Sequence, residues 1–279
     1  MIIPVFNRIE NIKKVLSCLA RQKIQPQHTV KIILVDDGSD DGLGEWITAR
    51  NLTLNITYIK CPREHDWNAS KPRNKGARLA DVDTDCYYFL DSDILLPPNR
   101  IQRLIDDYEI NVDDYGVAKD PNRVIIGPYH YMSKEITIDG NWWEQYITDY
   151  QQDGRWKSFE EHPVQEKNQG VGFALACFGG SLLIPRSLFF KAGCYDEFCT
   201  SGTEDGEFGL TLWETGAVFS MDKELLGWHH PHEKLPARED RIPEMIEYID
   251  KKHTMDLVKA SGEAYRQWGI NWVVPDVWK

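Results

Sequence analysis

Two aspartates directly after an apolar run are candidates for a chemical role because of their residue type and their spacing. Asp91-Ser-Asp93 directly follows the apolar residues 86–90, which have the length and aromatic content of a buried strand. Carboxylates two residues apart at a strand's end can face the same side, and hard oxygen ligands suit Mg²⁺ or Mn²⁺ carrying a diphosphate. A metal site competes here with a structural turn. The Asp-x-Asp triplets within residues 81–85 lie in a polar linker and are typical of a solvated loop.

A second group of carboxylates lies in the segment Ser201-Gly-Thr-Glu204-Asp205-Gly-Glu207. The spacing of Ser201 and Glu204 is that of a capping box, and acidic residues are favourable in the first turn of a helix. The local pattern therefore predicts a helix start. It leaves open whether either carboxylate also acts on a substrate.

Three histidines lie close together in the segment Trp228-His229-His230-Pro-His232. Imidazole is a competent metal ligand or general base, although pairs of surface histidines are common. The sequence pattern alone does not decide between a ligand and a surface role.

Two loop segments have a structural and a functional interpretation. Asp36-Asp37-Gly-Ser-Asp40 is either an Asx-turn ahead of a helix or a contact to a base or ribose. Gly179 and Gly180 precede an apolar strand and indicate either close approach of the backbone to another group or a bulge.

Composition excludes several classes of protein. The chain has 279 residues with a formal net charge of −12, so its overall field repels nucleic-acid backbones and anionic lipids. The 6 cysteines form no C-x-x-C pair, which favours reduced thiols over a disulfide framework or a zinc ribbon. The longest charge-free apolar stretch, 170–185, is shorter than the about 20 residues that span a bilayer. Charged residues at 8 and 10 leave no room for a signal peptide, so we expect a cytoplasmic protein, with peripheral membrane attachment as an alternative.

Alternating elements must position these residues. Short β-branched runs alternate with segments of helical period over the first hundred residues, which predicts an α/β fold whose sheet is covered on both faces. The expected strands are 1–6, 30–35, 54–60, 86–90, 124–126 and 181–184. A first helix is indicated by the apolar face Ile12, Val15, Leu16 and Leu19, and the other expected helices are 43–50, 72–80, 99–109, 186–191 and 204–214, with one or two helices after 235. Ligands of such sheets bind beyond the carboxyl ends of the strands, so the polar clusters should converge on one crevice.

The motifs in order resemble the family 2 glycosyltransferases of GT-A fold over about residues 1–235. They are Ile-Pro-Val-Phe-Asn-Arg (3–8), Val-Asp-Asp-Gly-Ser (35–39), Pro-Arg-Asn-Lys-Gly (72–76), Phe-Leu-Asp-Ser-Asp (89–93), Phe-Gly-Gly-Ser (178–181), Gly-Cys-Tyr-Asp-Glu (193–197), Glu-Asp-Gly-Glu (204–207) and Trp-His-His-Pro-His (228–232). The resemblance implies a GT-A (Rossmann-like) mixed sheet with helices on both faces, plus a C-terminal helical extension. It also implies a nucleotide-sugar donor, most simply a UDP-sugar. Gly193-Cys-Tyr195 departs from the Gly-Gly-Phe that is frequent in the family, which affects only local packing.

The resemblance also implies roles for individual residues. Mn²⁺ or Mg²⁺ would bind Asp93 directly and Asp91 through water, unless Asp91 holds the ribose, and His229 with His232 would complete the coordination. Asp205, with Glu204 beside it, would be the general base that deprotonates the acceptor hydroxyl with inversion at the anomeric carbon. The donor-binding candidates are Pro4, Asn7, Asp36, Asp37, Arg73, Asp91 and Ser92.

Three alternatives compete with this interpretation. A retaining transferase resembling the polypeptide N-acetylgalactosaminyltransferases commonly has His at the place of Asp93 and Asn at that of Asp205. A sugar-nucleotide pyrophosphorylase should have a Gly-rich, Arg-containing loop after the first strand, which residues 4–8 do not form. A non-catalytic carbohydrate- or nucleotide-binding protein should have lost Asp93 or Asp205, and both are present.

We expect three parts in the chain. Residues 1–98 would bind the nucleotide sugar, residues 99–235 would form the acceptor-binding and catalytic half of the same domain, and residues 236–279 would form a helical tail. The aromatic-rich segment 139–169 would close as a lid. The acceptor would be a saccharide, a lipid-linked or a peptide hydroxyl.

Overall fold

The structure is a computed structural model of the 279-residue chain. It describes residues 1–63, 68–109, 120–133, 138, 142, 150–151, 164–165, 174, 177–200, 203–222, 225–232 and 241–253. Its strands are β1 (Ile2–Val5), β2 (Ile32–Asp36), β3 (Ile56–Lys60), β4 (Cys86–Leu90), β5 (Ile94–Leu95), β6 (Arg123–Ile126), β7 (Tyr129–Met132), β8 (Tyr150–Gln151), β9 (Val164–Gln165), β10 (Ser181–Pro185), β11 (Val218–Met221) and β12 (Gly227–His229). Its helices are α1 (Ile9–Leu19), α2 (Leu43–Thr48), α3 (Ser70–Leu79), α4 (Arg100–Glu109), α5 (Arg186–Lys191), α6 (Thr203–Thr215) and α7 (Ile242–Lys252).

An 8-stranded sheet in the order β3-β2-β1-β4-β10-β6-β11-β9 forms the centre of the fold. Strand β1 pairs in parallel with β2 and β4, and β2 pairs in parallel with β3. Strand β10 is antiparallel to both β4 and β6. A smaller sheet in the order β5-β12-β7-β8 lies beside it. The carboxyl ends of β1, β2 and β4 therefore share one edge, as the sequence predicts.

Helices cover both faces of the large sheet. Ile2 belongs to the apolar cluster that includes α3, α5 and α6, whereas its neighbour Ile3 belongs to the cluster that includes α1, α2 and α4. This alternation along β1 follows from the period of a strand, which turns successive side chains to opposite faces. The expected mixed α/β sheet with helices on both faces is confirmed.

Helix α3 lies unusually close to the sheet. A Cβ atom at Gly76 would come within 2.5 Å of Ile2 Cγ2 and 3.2 Å of Val35 Cγ2, so only glycine allows this approach. Pro72 lies in the first turn of the helix, where a proline needs no intrahelical hydrogen bond. This packing places the first turns of α3 at the carboxyl edge of the sheet.

The expected strands and helices are present with small shifts of their ends, and the expected helix after residue 235 is α7. The sequence interpretation missed the small sheet, including β12, which carries part of the histidine segment. The expected cap residue Ser201 and the tail beyond residue 253 lie outside the described residues.

A cluster of largely buried charged side chains links α7 to α6 through ion pairs and hydrogen bonds. Lys252 Nζ lies 2.7 Å from both Asp196 Oδ2 and Glu207 Oε1. The His253 imidazole contacts Glu207 Oε1 through Nε2 at 3.2 Å and Glu214 Oε2 through Nδ1 at 2.9 Å. Burial opposes the charged imidazole, yet the hydrogen bonds to Glu207 and Glu214 raise the pKa of His253 above its usual value. Burial likewise opposes the charged carboxylate of Glu207, but hydrogen bonds from His253 and Lys252 lower its pKa.

We expect this cluster to make stability depend on pH. Because folding raises the pKa of His253, its contribution is complete below its unfolded pKa of about 6.5 and is lost as pH rises through the folded value. His253→Gln should therefore reduce the free energy of unfolding by about 1–3 kcal/mol at pH 5.5 and by less at pH 9.

Urea unfolding of both proteins at the two pH values measures this difference. His28→Gln is the matched control, because His28 lies 3.5 Å from the exposed carboxylate of Glu109. A loss for His253→Gln that is equal at both pH values would contradict the ionic origin of the effect.

Candidate functional site

A cavity of about 370 Å³ opens at the carboxyl edge of the large sheet. It is bounded by the ends of β1, β2 and β4, the first turns of α3 and α6, and the segment around β12. Its lining residues are Pro4, Val5, Phe6, Arg8, Asp37, Asn68, Ala69, Pro72, Arg73, Asp91, Ser92, Asp93, Glu204, Asp205, His229 and His232.

Arg73 lies at the base of this cavity between two carboxylates. Its Nη1 donates to Asp205 Oδ1 at 2.9 Å, and its Nη2 donates to Asp91 Oδ1 at 3.0 Å. The side chain is only 2% exposed. Burial opposes its charge, but the neighbouring Asp205 and Asp91 hold the pKa of Arg73 well above its usual value. The cation therefore stays charged and fixes the orientation of both carboxylates.

The two glycines before β10 make room for this pair. A Cβ at Gly179 would lie 2.5 Å from Arg73 Cζ, and one at Gly180 would lie 3.0 Å from Asp91 Oδ2. Any larger residue would displace the guanidinium or the carboxylate. Of the two sequence interpretations, close approach of the backbone is thus confirmed.

Asp91 lies near side chains of both charges. Burial, together with the negative charges of Asp93 and Asp205, raises the pKa of Asp91 to about 6, although Arg73 opposes the shift. The side chain is 37% exposed, so solvent moderates this effect.

Asp93 faces two histidines. Its Oδ2 lies 2.9 Å from His232 Nε2, and its Oδ1 lies 3.8 Å from His229 Nε2. One ligand atom from each of the three residues lies within 4.8 Å of the others. Burial favours the un-ionised carboxyl, but the hydrogen bond from His232 lowers the pKa of Asp93, while burial lowers the pKa of His229. An ionised carboxylate beside a neutral imidazole is the state in which these groups bind a metal.

The same group meets a further requirement of a cation site. Asp93 Oδ1 is buried and has no hydrogen-bond partner within the described part of the chain. A buried carboxylate oxygen without a partner is costly unless a cation or a donor satisfies it. The residues therefore fit a divalent metal, and a carboxylate with two imidazoles suits Mn²⁺ better than Mg²⁺, which prefers oxygen ligands.

Asp36 and Asp37 have different roles in the structure. Asp36 is fully buried, where its Oδ1 accepts the Ser39 N–H at 2.7 Å and its Oδ2 accepts the Tyr58 hydroxyl at 2.6 Å. Asp37 lines the cavity and pairs with Arg63 at 3.3 Å. Asp36 thus holds the turn together, and Asp37 is the carboxylate that a ligand in the cavity can reach.

Asn7 supports the same turn and does not belong to the cavity lining. Its backbone N–H donates to Ser39 Oγ at 2.9 Å, and its Oδ1 accepts the Asp40 N–H at 2.9 Å. With a φ of 48°, Asn7 adopts the left-handed conformation that asparagine tolerates well. Pro4 and Ser92 border the cavity as expected.

Both Glu204 and Asp205 border the cavity. Glu204 is buried, and Asp205 is the carboxylate that Arg73 holds. Glu207, two residues further along α6, is instead bound by Lys252 and His253.

Phe6, Arg8 and Arg63 are among the residues of the site that were missed as individual candidates. Phe6 and Arg8 line the cavity, and the Arg63 guanidinium lies 3.5 Å from the centre of the Phe6 ring. Phe6 and Arg8 belong to the motif at 3–8, and Arg63 belongs to the polar cluster after β3, so the signals were present. The rule for parallel sheets brings both segments to one edge, but no local pattern showed that the Arg63 guanidinium would cover the Phe6 ring.

A family model described as glycosyl transferase family 2 matches residues 1–177. Chondroitin synthase of Escherichia coli is 26% identical over 256 residues, which cover 82% of this chain and 34% of the relative. Validoxylamine A glucosyltransferase of Streptomyces hygroscopicus subsp. limoneus is 25% identical over 247 residues, which cover 84% of this chain and 52% of the relative. The chain thus spans about a third of the length of the first relative and about half of the length of the second.

Solved structures share the fold. The crystal structure of S. aureus TarS 1-349 in complex with UDP-GlcNAc superposes with a TM-score of 0.65 at 15% identity, covering 96% of this chain and 72% of that chain. The GT-A fold expected from the motifs is confirmed by this likeness. Across the described residues, no helix combines the length and hydropathy that crossing a bilayer requires.

We expect the ion pairs of Arg73 with Asp91 and Asp205 to contribute strongly to the stability of the fold as well as to the geometry of the site. Arg73→Met should lower the free energy of unfolding by about 3–5 kcal/mol, because it leaves two carboxylates without their buried cation. Denaturant unfolding measures the loss.

Arg78→Met on the same helix is the matched control. Its partner Glu197 lies 3.4 Å away, and the two side chains are 58% and 39% exposed, so the loss should stay below about 1 kcal/mol. Equal losses for the two variants would contradict the role assigned to Arg73.

Proposed function

This chain belongs to glycosyl transferase family 2, and on that premise we propose that it transfers a sugar from a UDP-sugar to an acceptor hydroxyl. One observation carries the proposal: a candidate metal group and an arginine-held carboxylate line the same cavity at the carboxyl edge of the sheet. The structures of S. aureus TarS with UDP-GlcNAc and with UDP support the choice of a UDP-sugar as donor.

Asp93, His229 and His232 are the residues that would hold Mn²⁺. A divalent cation there supplies charge neutralisation for the diphosphate leaving group. Arg8 lines the cavity, and its positive charge acts on Asp93, so it is placed to contact the diphosphate as well. Asp91 is committed to Arg73 through Oδ1, and we assign it a water-mediated metal contact or a ribose contact through Oδ2.

The nucleoside would bind near Asp37. This carboxylate lines the cavity beside Phe6, and Arg63 covers the Phe6 ring and pairs with Asp37. A carboxylate that can accept a hydrogen bond from a base N–H or from a ribose hydroxyl thus lies next to an aromatic ring. Asp36 and Asn7 act indirectly, since they hold the turn that positions Asp37.

Asp205 is the proposed general base. Arg73 engages Oδ1 of this carboxylate, and the second oxygen is the atom to which the acceptor hydroxyl would transfer its proton. As the hydroxyl attacks the anomeric carbon, the bond to the diphosphate breaks on the opposite side, which inverts the configuration. Glu204 beside it would orient the acceptor.

The proposed parts of the chain follow from this assignment. Residues 1–98 would contribute the donor side of the cavity, and residues 99–235 would contribute Asp205 and the histidines. The lid expected at 139–169 falls largely outside the described residues and stays a prediction.

We expect Asp205→Asn to separate binding from chemistry. The variant keeps an oxygen for Arg73, so the affinity for UDP with Mn²⁺ should change by less than about threefold, while UDP-sugar turnover should fall by at least about a hundredfold. Titration calorimetry with UDP and release of UDP from the donor, with water as acceptor, measure the two quantities. Glu214→Gln on the same helix should retain turnover. Near-normal turnover of Asp205→Asn would contradict its role as the base.

We expect manganese binding to depend on the group around Asp93. In the presence of UDP, His232→Gln should weaken Mn²⁺ binding by at least about tenfold, and Asp93→Ala should do so and abolish transfer. Electron paramagnetic resonance of the free Mn²⁺ ion reports binding independently of activity. His28→Gln serves as the control. Unchanged binding in both site variants would place the metal elsewhere.

A further inference from the structure

A buried methionine of α7 contacts the segment where α6 begins. The Met245 sulfur accepts hydrogen bonds from the Thr200 backbone N–H at 3.3 Å and from the Thr200 hydroxyl at 3.4 Å. The Thr203 hydroxyl lies 3.2 Å from the same sulfur and donates to the Thr200 carbonyl oxygen at 2.7 Å. A thioether is a weak acceptor, but its two lone pairs match the two donors of Thr200.

The donors at this contact are buried as well. Met245 is fully buried, and both Thr200 and Thr203 lie in the interior. Among the described residues, no other acceptor serves the N–H or the hydroxyl of Thr200. A buried donor that loses its acceptor is unfavourable. The sulfur therefore holds the segment from Thr200 to Thr203 in one place.

Helix α7 contacts α6 at two separate places. The spacing of Met245, Lys252 and His253 puts them on one face of α7. Lys252 and His253 bind Glu207, whereas Met245 contacts Thr203, the residue at which α6 begins. The contact of Met245 thus acts on the first turn of α6, and the ion pairs act further along the helix.

The first turn of α6 carries the proposed general base. Asp205 follows Thr203 by two residues, and Arg73 holds Oδ1 of its carboxylate. Because Arg73 engages this one oxygen, the place of the second oxygen depends on where the backbone of the turn lies. We propose that Met245 is a positioning residue for Asp205, acting through Thr200 and Thr203. This inference rests on the proposed function, since a general base must lie within hydrogen-bond reach of the hydroxyl that it deprotonates.

Amide hydrogen exchange followed by NMR tests the contact independently of activity. Met245→Leu keeps an apolar side chain of similar volume but removes the sulfur, so the Thr200 N–H should exchange at least about tenfold faster than in wild type. Met221→Leu is the matched control, because Met221 is equally buried and no described group donates to its sulfur. Unchanged exchange of the Thr200 N–H in Met245→Leu would overturn the inference.

Hydrolysis of the donor, with water as acceptor, tests the consequence for catalysis. The probes are UDP-glucose, UDP-GlcNAc and UDP-glucuronate. With a donor that the wild-type protein hydrolyses, Met245→Leu should lower kcat by about tenfold or more, because a small displacement of a catalytic group costs much of the rate. The affinity for UDP with Mn²⁺, measured by calorimetry, should stay within about twofold of wild type, since Met245 does not line the cavity.

A double-mutant cycle tests whether Met245 acts through Thr200. Thr200→Val removes the hydroxyl and keeps the N–H, so it should lower kcat by a smaller factor than Met245→Leu does. The double variant should be no slower than Met245→Leu, because both changes remove the same contact. A loss in the double variant that equals the product of the two single losses would overturn the inference. Thr200→Val also tests the contact from its other side if Met245→Leu does not fold.

His253→Gln separates positioning from general loosening of the two helices. It weakens the contact of α7 with Glu207 and leaves the Met245 sulfur in place. Its kcat should therefore stay within about twofold of wild type at urea-free conditions where unfolding curves show every variant to be folded. Equal losses of kcat in His253→Gln and Met245→Leu would overturn the specific role of Met245.

The remaining outcomes distinguish this inference from the proposed function. If the wild-type protein hydrolyses a UDP-sugar and Met245→Leu does so at the same rate, the positioning role is overturned and the proposed function remains. A loss of UDP affinity in Met245→Leu would place its effect at the donor and would also overturn the inference. Absence of both UDP binding and donor hydrolysis in the wild-type protein would remove the proposed function and this inference together.

Discussion

The buried guanidinium of Arg73 is the constraint on which the rest of the site depends. A cation removed from water costs several kcal/mol unless carboxylates compensate it, and here Asp91 and Asp205 do so. Asp91 ends a parallel strand of the first half of the chain, and Asp205 begins a helix of the second half. Their pairing through one cation therefore fixes the end of β4 relative to α6. The same geometry requires glycine at position 179, because a side chain there would occupy the place of the guanidinium.

In this arrangement, two aspartates that lie only two residues apart have different partners. Asp91 is committed to the internal cation, whereas Asp93 faces two imidazoles and keeps a buried oxygen without a partner among the described residues. The protein thus compensates Asp91 itself, and the unpartnered oxygen of Asp93 is the one that we propose a cation from solvent would bind. On the far side of α6, Lys252 and His253 neutralise Glu207, so this carboxylate is compensated within the protein as well.

The sequence predicted the elements with strong periodicity and the residues that end them. Strands β1 to β4 and the convergence of Asp37, Asp91 and Asp93 followed from hydrophobic pattern and from the rule for parallel sheets, whereas only the resemblance to the family placed Arg73 at the site. The small sheet was missed because its strands are too short to show a period, and their pairing joins distant segments. For the same reason, the arginine-mediated link from Asp91 to Asp205 could not be derived, since no local pattern records which carboxylates share a cation.

Proton NMR during hydrolysis of UDP-α-sugars tests the proposed chemistry most directly. Water replaces the acceptor, so the experiment needs no knowledge of the acceptor and reports the configuration of the sugar before it mutarotates. Deprotonation of the nucleophile by Asp205, with departure of the diphosphate from the opposite side, predicts that the β anomer accumulates first. An α anomer as the first product would contradict this mechanism, and absence of hydrolysis with every UDP-sugar tested would contradict the assigned donor.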